Sequence, residues 1–200
     1  MTTRIFLAGI VGGIVMFIWT SIAHMFLPLG EAGVRELPNE SAVLDALKTN
    51  LGENRGFYIF PGTGLGPDAS HEARREAMKA IAEKAANGPT GLLMYHPQRA
   101  FNMGRLLGVE FATELLEAIL VVFLLSSTRL LTAGSRILFV TIAGVLAAIA
   151  TNVSYWNWYG FPKRYTVAYM FIQIVGFFLV GVVSAFMLRN RDPVAESKPA

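Results

Sequence analysis

Residues 106–125 read LLGVEFATELLEAILVVFLL, an apolar run that contains three glutamates. At a rise of about 1.5 Å per residue, a helix of this length can cross a hydrocarbon core of about 30 Å. An ionised side chain inside a membrane span costs at least about 2.5 kcal/mol, so intramembrane carboxylates mark a functional site by default. This stretch therefore predicts a membrane helix, and its glutamates mark a candidate functional site on that helix.

Three more apolar runs cover residues 5–27, 137–155 and 165–188. The chain is 54% hydrophobic and 16% charged, whereas soluble domains are typically about 25% charged. We therefore predict an all-α membrane protein with a four-transmembrane-helix bundle. Residues 1–27 hold the first helix, and residues 106–188 hold the other three, at 106–125, 137–155 and 165–188.

Charge and cysteine content exclude several classes of function. The net charge is +3, but the cations are scattered and form no basic stripe, so a nucleic-acid partner is not expected. Because the chain has no cysteine, it has no disulfide framework, thiolate metal site or cysteine nucleophile. The histidines form neither an H-x-x-x-H nor an E-x-x-H pattern, so we expect no metal and no other cofactor.

The first apolar run also has features of a cleaved signal peptide, with Arg4 in front and the small residues Ser21 and Ala23 near its end. The run is longer than the roughly 7 to 15 residues of a signal core. Its pair of small residues, Gly9 and Gly13, suits close packing against another helix. We therefore expect the first helix to be retained.

The distribution of positive charge predicts the orientation of the four spans. An even number of spans places both termini on one side of the membrane, together with the connection between the second and third spans. The short segments on that side carry six lysines and arginines: Arg4, Arg129, Arg136, Arg189, Arg191 and Lys198. The remaining short connection carries only Lys163 and Arg164. Short cationic segments remain in the cytoplasm. The multi-pass chain should therefore have cytoplasmic N- and C-termini, with residues 189–200 as a cytoplasmic tail.

The long segment 28–105 then forms an extracytoplasmic α/β cap between the first and second membrane helices. Its pattern predicts, in chain order, a helix at 40–51 with Asn39 as its N-cap, a strand at 57–60, a helix at 69–86 and a strand at 92–95. The strands fit either a βαβ-like unit or a two-stranded ribbon under a helix.

Four motifs of the chain resemble a known group of proteins: 37–40 (LPNE), 57–62 (FYIFPG), 91–97 (GLLMYHP) and 156–162 (WNWYGFP). They are similar to those of an uncharacterised family of small bacterial integral membrane proteins, about 200 residues long. The resemblance covers most of the chain. It implies four membrane helices and a location in the bacterial inner (cytoplasmic) membrane, and it implies no reaction, because the family has no assigned activity.

The three glutamates of the second run, Glu110, Glu114 and Glu117, share one helix face. At 100° per residue they fall at roughly 0°, 40° and −20° around the helix, so the face should point into the bundle. Neighbouring carboxylates in a low dielectric repel one another, so they must be held neutral or paired with a cation. The face is therefore either a set of hydrogen-bonded structural acids or a working site.

Further polar residues are predicted at the same depth as these acids, in the outer half of the membrane. The predicted ligand-binding or coupling residues are Glu110, Glu114, Glu117, His24, Asn152, Tyr169 and Gln173. The inner half of the four runs offers little polarity, and a channel or proton wire needs polar groups along its whole path. The pattern therefore favours a crevice that opens outward.

We predict a non-enzymatic binding or accessory subunit whose crevice takes a lipid-like ligand or a partner helix. Its expected partners are membrane lipids and another membrane subunit or a second copy of the chain. The alternative is a small proton- or cation-coupled carrier that uses Glu114 and Glu117. A lipid-modifying enzyme with His24 as its base is less favoured, because no nucleophile has a recognisable spacing.

Overall fold

The computed structural model describes residues 3–188 and is mostly helical. Its elements are α1 Thr3–Met25, α2 Glu40–Leu51, β1 Gly56–Phe60, α3 His71–Asn87, β2 Gly91–Tyr95, α4 Met103–Ser126, α5 Ala133–Tyr159 and α6 Lys163–Met187. They fall into two compact units. The helical unit contains α1, α4, α5 and α6, and the small unit is Arg35–Phe101. The predicted tail, 189–200, lies outside the described residues.

Within residues 3–188, three helices are long and apolar enough to cross a membrane, namely α1, α5 and α6. The length and composition of these elements are compatible with a helical membrane protein. Helix α4 has 24 residues, as many as a span needs, but it also carries Arg105 and the three glutamates. The predicted count of four spans does not follow from length and hydropathy alone.

In the helical unit, α1 packs against both α4 and α6, and α5 packs against α6. Helix α4 meets α5 and α6 only sparsely. Glycines allow the close approach of α1 and α4, because a Cβ on Gly9 would come within 2.8 Å of the Cα of Ile119, and one on Gly13 within 2.8 Å of the Cα of Leu115. The packing role predicted for Gly9 and Gly13 is confirmed.

Helices α4 and α5 are longer than their apolar runs, 106–125 and 137–155, so the predicted bounds were too narrow for both. Helix α4 starts at Met103 because the side chain of Asn102 accepts a hydrogen bond from the Arg105 amide, at 2.9 Å. Helix α5 starts at Ala133 because Thr132 accepts from the Ser135 amide, at 3.1 Å. Polar caps lie outside an apolar run, so hydropathy alone places these helix starts too late.

The predicted cap, 28–105, is longer than the compact unit Arg35–Phe101. The turns after α1 fold back onto the helical unit. A Cβ on Gly30 would come within 2.8 Å of the imidazole Cδ2 of His24. Gly33 has a φ of 80° and packs against Tyr165 of α6. Residues 28–34 therefore belong to the helical unit, although the first apolar run ends at residue 27.

The small unit contains an antiparallel ribbon, in which Phe57 of β1 lies opposite Met94 of β2. The parallel βαβ alternative was therefore wrong, and the two-stranded ribbon is observed. The Tyr95 hydroxyl donates a hydrogen bond to the Gly52 carbonyl, at 3.0 Å. This bond ties β2 to the end of α2.

The two helices of the small unit lie close to their predicted positions. Helix α2 has the predicted bounds, although Asn39 makes no side-chain cap hydrogen bond. Helix α3 starts at His71, two residues later than predicted, because the Ser70 hydroxyl caps it by accepting from the Ala73 amide, at 3.2 Å. No residue of α2 or α3 is fully buried.

Candidate functional site

A cavity of about 660 Å³ lies at the end of the helical unit where α1 and α5 end and α4 and α6 begin. Helix α4 forms one wall, α5 and α6 form the opposite wall, and α1 lies between them. The structure brings all seven sequence-predicted site residues to the lining of this cavity: His24, Glu110, Glu114, Glu117, Asn152, Tyr169 and Gln173.

Glu114 is the most buried acid of the cavity, with 4% of its surface exposed. Its carboxylate is hydrogen-bonded to the side chain of Thr20. The second oxygen, Oε2, is buried and has no hydrogen-bond partner among residues 3–188. Buried polar atoms are nearly always paired, because an unmade hydrogen bond costs about 1–3 kcal/mol. The Glu114 carboxyl group, which lines the cavity, therefore still has a hydrogen bond to make at Oε2.

The burial of Glu114 follows from the close approach of α1 and α4. A Cβ on Gly13 would lie 2.8 Å from the Leu115 Cα and 3.3 Å from the Glu114 backbone oxygen, so only hydrogen is tolerated there without a shift. Thr20 follows Gly13 by seven residues, two turns along the same face of α1. The glycine thus brings the helices together, and the threonine then meets the acid.

Glu110 and Glu117 flank Glu114 by about one helical turn on either side. Glu110 is exposed and Glu117 is half-buried, and both face the same cavity. No lysine or arginine belongs to the lining within residues 3–188. Of the two predicted states of these acids, neutral or paired with a cation, the second therefore finds no lysine or arginine in the lining.

The wall opposite the acids holds an amide and hydroxyl cluster that joins α5 to α6. The Asn152 Nδ2 donates to the Ala148 carbonyl, at 3.0 Å, and to the Thr151 hydroxyl, at 2.8 Å. The Thr151 hydroxyl in turn lies 3.3 Å from the acceptor Oε1 of Gln173. These groups find their partners within the chain, unlike the free oxygen of Glu114.

Aromatic rings border the cavity between α1 and α6. Tyr169 contacts the His24 ring edge to face, with centroids 5.6 Å apart, and stacks on Tyr165 at 4.1 Å. The Nδ1 of His24 lies 2.9 Å from the Thr20 carbonyl, which fixes the orientation of the imidazole. His24 and Tyr169 thus present a rigid aromatic surface to the cavity.

Sequence reasoning missed three threonines and one serine of the lining: Thr20, Thr113, Thr151 and Ser21. Thr20 could have been found, because it precedes His24 by four residues and so shares its helix face. Thr113 directly precedes Glu114, and its hydroxyl donates to the Val109 carbonyl, at 2.9 Å. No sequence signal distinguishes such a threonine from one that faces lipid.

The opposite end of the helical unit is closed by apolar packing. Its buried cluster comprises Ala8, Met16, Ala118, Val121, Val122, Leu125, Val140, Phe177 and Val180. Ser184 is also buried there, and its hydroxyl is satisfied by the Val180 carbonyl, at 2.7 Å. The acids and amides of the predicted site thus lie at the cavity end of the unit.

Two arginines bind the end of α6, on the side away from the cavity. The Arg136 guanidinium is 9% exposed and donates to the Leu130 carbonyl, at 2.9 Å, and to the Leu188 carbonyl, at 2.8 Å. The Nε of Arg4 donates to the Met187 carbonyl, at 2.6 Å. Sequence analysis treated Arg136 as a loop charge, and its burial was missed.

Comparisons of the chain with protein families, with curated proteins and with solved structures found no significant match. The resemblance of its four motifs to small bacterial membrane proteins is thus neither supported nor refuted. What the cavity does must be inferred from its own shape and chemistry.

Proposed function

We propose that the chain is a membrane protein that binds an amphiphilic, lipid-like molecule in its one-ended cavity and catalyses no reaction itself. The observation that carries this proposal is the contrast between the acidic, open cavity and the apolar packing that closes the other end. Ligand pockets typically measure about 300–1,000 Å³ and are mostly apolar, with a few convergent polar groups. At about 660 Å³, this cavity is within that range.

The lining suits a molecule with one polar end and one apolar end. Met16, Phe17, Leu106 and Ile172 contribute apolar surface, while the polar groups gather around Glu114. A ligand that places its polar headgroup at the acids would place its apolar part against these four side chains. A purely polar solute would leave that surface uncovered, and burial of apolar area is the main source of affinity.

We further propose that α4 is the fourth membrane span. Its 24 residues correspond to about 36 Å of helix, and it packs along α1 through Gly9 and Gly13. The face of α4 that points away from the unit is apolar, with Leu116 56% and Leu120 52% exposed. Such side chains are favourable against lipid and unfavourable in water.

The arginines support one orientation of these four spans. Arg4 and Arg136 bind carbonyls at the closed end of the unit, and the positive-inside rule assigns such an end to the cytoplasm. The cavity and the small α/β unit then belong to the extracytoplasmic side, and both termini are cytoplasmic. The sequence resemblance favours a bacterial inner membrane.

Single cysteines test this topology directly, because the chain contains none of its own. In intact cells, a membrane-impermeant maleimide should label a Glu53→Cys variant, in the connection between α2 and β1. It should label a Ser127→Cys variant, between α4 and α5, only after permeabilisation. Labelling of the Ser127→Cys variant in intact cells would contradict the four-span orientation.

A bulky side chain in the cavity tests the binding function. Ser21 lines the cavity, and a Ser21→Trp substitution should reduce the fraction of protein that carries a bound amphiphile at least about tenfold, because the indole occupies the binding volume. The measurement is native mass spectrometry of gently extracted protein. The matched control is Ser127→Trp, an exposed position at the closed end, which should retain the wild-type occupancy.

Two results of the same experiment would contradict this proposal. Equal occupancy in both tryptophan variants would show that the bound molecule lies elsewhere. If wild-type protein instead carries a second polypeptide that the Ser21→Trp variant loses, the cavity receives a partner helix rather than a lipid-like molecule.

The carrier and enzyme alternatives are less well supported by the geometry. Below Glu117, residues 118–125 of α4 are AILVVFLL, and the apolar cluster closes around them. A carrier would have to open this packing in every cycle. For an enzyme based on His24, the imidazole contacts the Thr20 carbonyl and Tyr169. Within residues 3–188, no hydroxyl nucleophile is hydrogen-bonded to it.

A further inference from the structure

We propose that the molecule held in the cavity carries a protonated primary amine, whose ammonium group binds the carboxylate of Glu114. This inference rests on the proposed binding function and names the chemical class of its ligand. Three independent observations carry it: an unpartnered buried oxygen, an acidic lining without a cation, and an aromatic surface beside the acids.

The first observation is the state of the Glu114 carboxylate. One oxygen is engaged by Thr20, while Oε2 is buried at the cavity without a partner in the described residues. When it is ionised, the group only accepts hydrogen bonds, so the partner that Oε2 then lacks is a donor. Hydrogen bonds in which the donor or the acceptor is ionised are about twice as strong as neutral ones, and an ammonium donor also adds a compensating positive charge. An N–H of an ammonium group therefore satisfies Oε2 better than a hydroxyl does.

The second observation is the charge of the cavity. Glu110, Glu114 and Glu117 all line it, and within residues 3–188 the lining includes no lysine or arginine. Grouped carboxylates at low dielectric are stabilised by a neighbouring positive charge. Since no lysine or arginine of the lining provides this charge, a cationic ligand is the partner that suits the ionised acids. Fatty acids and other anionic amphiphiles would instead be repelled.

The spacing of the acids favours an organic cation over a metal ion. Glu110 and Glu117 are separated by about 10 Å along the helix axis, whereas metal ligands lie about 2.0–2.6 Å from the ion. Among residues 3–188, no three acidic or histidine side chains converge closely enough to hold a metal. An ammonium group needs only one well-placed carboxylate.

The third observation is the aromatic surface beside the acids. The rings of His24 and Tyr169 meet edge to face at 5.6 Å, and Phe17 lines the same cavity. Aromatic faces attract cations, and the attraction grows when the cation is desolvated. A quaternary ammonium would use these rings as well, but it has no N–H to donate to Oε2. The unpartnered oxygen therefore favours a primary amine.

Protonated amines on an apolar body have two sources in a membrane, an aminolipid headgroup and a single-chain amine. The test titrates purified full-length protein in a non-ionic detergent with dodecylamine, dodecyltrimethylammonium and dodecanol, and reads binding by native mass spectrometry. Dodecylamine should bind at least about tenfold more tightly than either analogue, since a hydrogen bond between charged groups is worth a factor of that order.

Variants assign this preference to one carboxylate. Glu114→Gln should abolish the preference for dodecylamine, whereas Glu114→Asp, which keeps the charge, should preserve it in part. The matched control is Glu72→Gln, which removes the same charge from an exposed position on α3 and should leave binding unchanged. The melting temperature of each variant shows that it remains folded.

The outcomes separate this inference from the proposed function. If dodecanol binds as tightly as dodecylamine, or if Glu114→Gln keeps the preference, the assignment of a primary amine is wrong. The proposal that the cavity binds an amphiphile is then unaffected. If no dodecyl probe binds the wild-type protein, both proposals fail. Selective retention of phosphatidylethanolamine over phosphatidylcholine in nanodiscs, lost in Glu114→Gln, would support an aminolipid. A preference confined to dodecylamine would support a single-chain amine.

Discussion

Replacing Gly13 with alanine should destabilise the helical unit by about 2–3 kcal/mol, as expected for overpacking of a tight contact. The added Cβ would lie 2.8 Å from the Cα of Leu115 and 2.8 Å from its Cδ2. The Leu115 side chain can turn aside, but its backbone cannot, so α1 and α4 must separate. Because the backbone oxygen of Glu114 also lies nearby, ligand binding should weaken together with stability.

The matched control is Gly108→Ala in α4, where an added Cβ meets nothing within 4 Å. Alanine favours helix over glycine by up to about 1 kcal/mol, so this variant should be neutral or slightly more stable. The measurement is the midpoint of thermal unfolding in detergent. Indistinguishable midpoints for the two variants would refute the close packing of α1 on α4.

Replacing Arg136 with methionine should cost about 3 kcal/mol, because it breaks two hydrogen bonds from a charged, buried group. The methionine side chain has a similar length, but it leaves the carbonyls of Leu130 and Leu188 without their donor. The loss of positive charge at the end of α6 adds to the effect, since helix C-termini favour cations. Arg136→Lys should recover only part of the stability, because an ammonium lacks the planar fork.

The control for this substitution is Arg129→Met, which removes one positive charge from the exposed surface at the same end of the unit. It should shift the unfolding midpoint little, as exposed charges contribute weakly. The two variants remove the same number of positive charges from this end of the unit, so their topology by cysteine labelling should agree. Equal unfolding midpoints would contradict a stabilising role for the buried guanidinium.

Much of the candidate site could be predicted from the sequence, because helical periodicity and depth are local properties. Glu110, Glu114 and Glu117 share a face by their spacing alone. His24 and Asn152 lie near the ends of their helices, at the depth where α4 begins. Four long helices joined in sequence bring such positions to one end of a bundle, and they line one cavity in the structure.

What the sequence did not indicate depends on which helices meet. Glu114 is more buried than Glu110 and Glu117 because Gly13 lies against that part of α4, a contact between residues far apart in the chain. The burial of Arg136 depends in the same way on the end of α6. The direction of β2 was undetermined, since a connection as long as α3 permits either parallel or antiparallel pairing.

Helices α4 and α5 both border the cavity yet scarcely touch each other. With α4 as the proposed fourth span, this gap would face the acyl chains of one leaflet, and the proposed amphiphile would enter sideways without passing through water. Occupancy then follows the mole fraction of the ligand among the lipids rather than its aqueous concentration. A compound that is nearly insoluble in buffer would fill the cavity by diffusing in two dimensions.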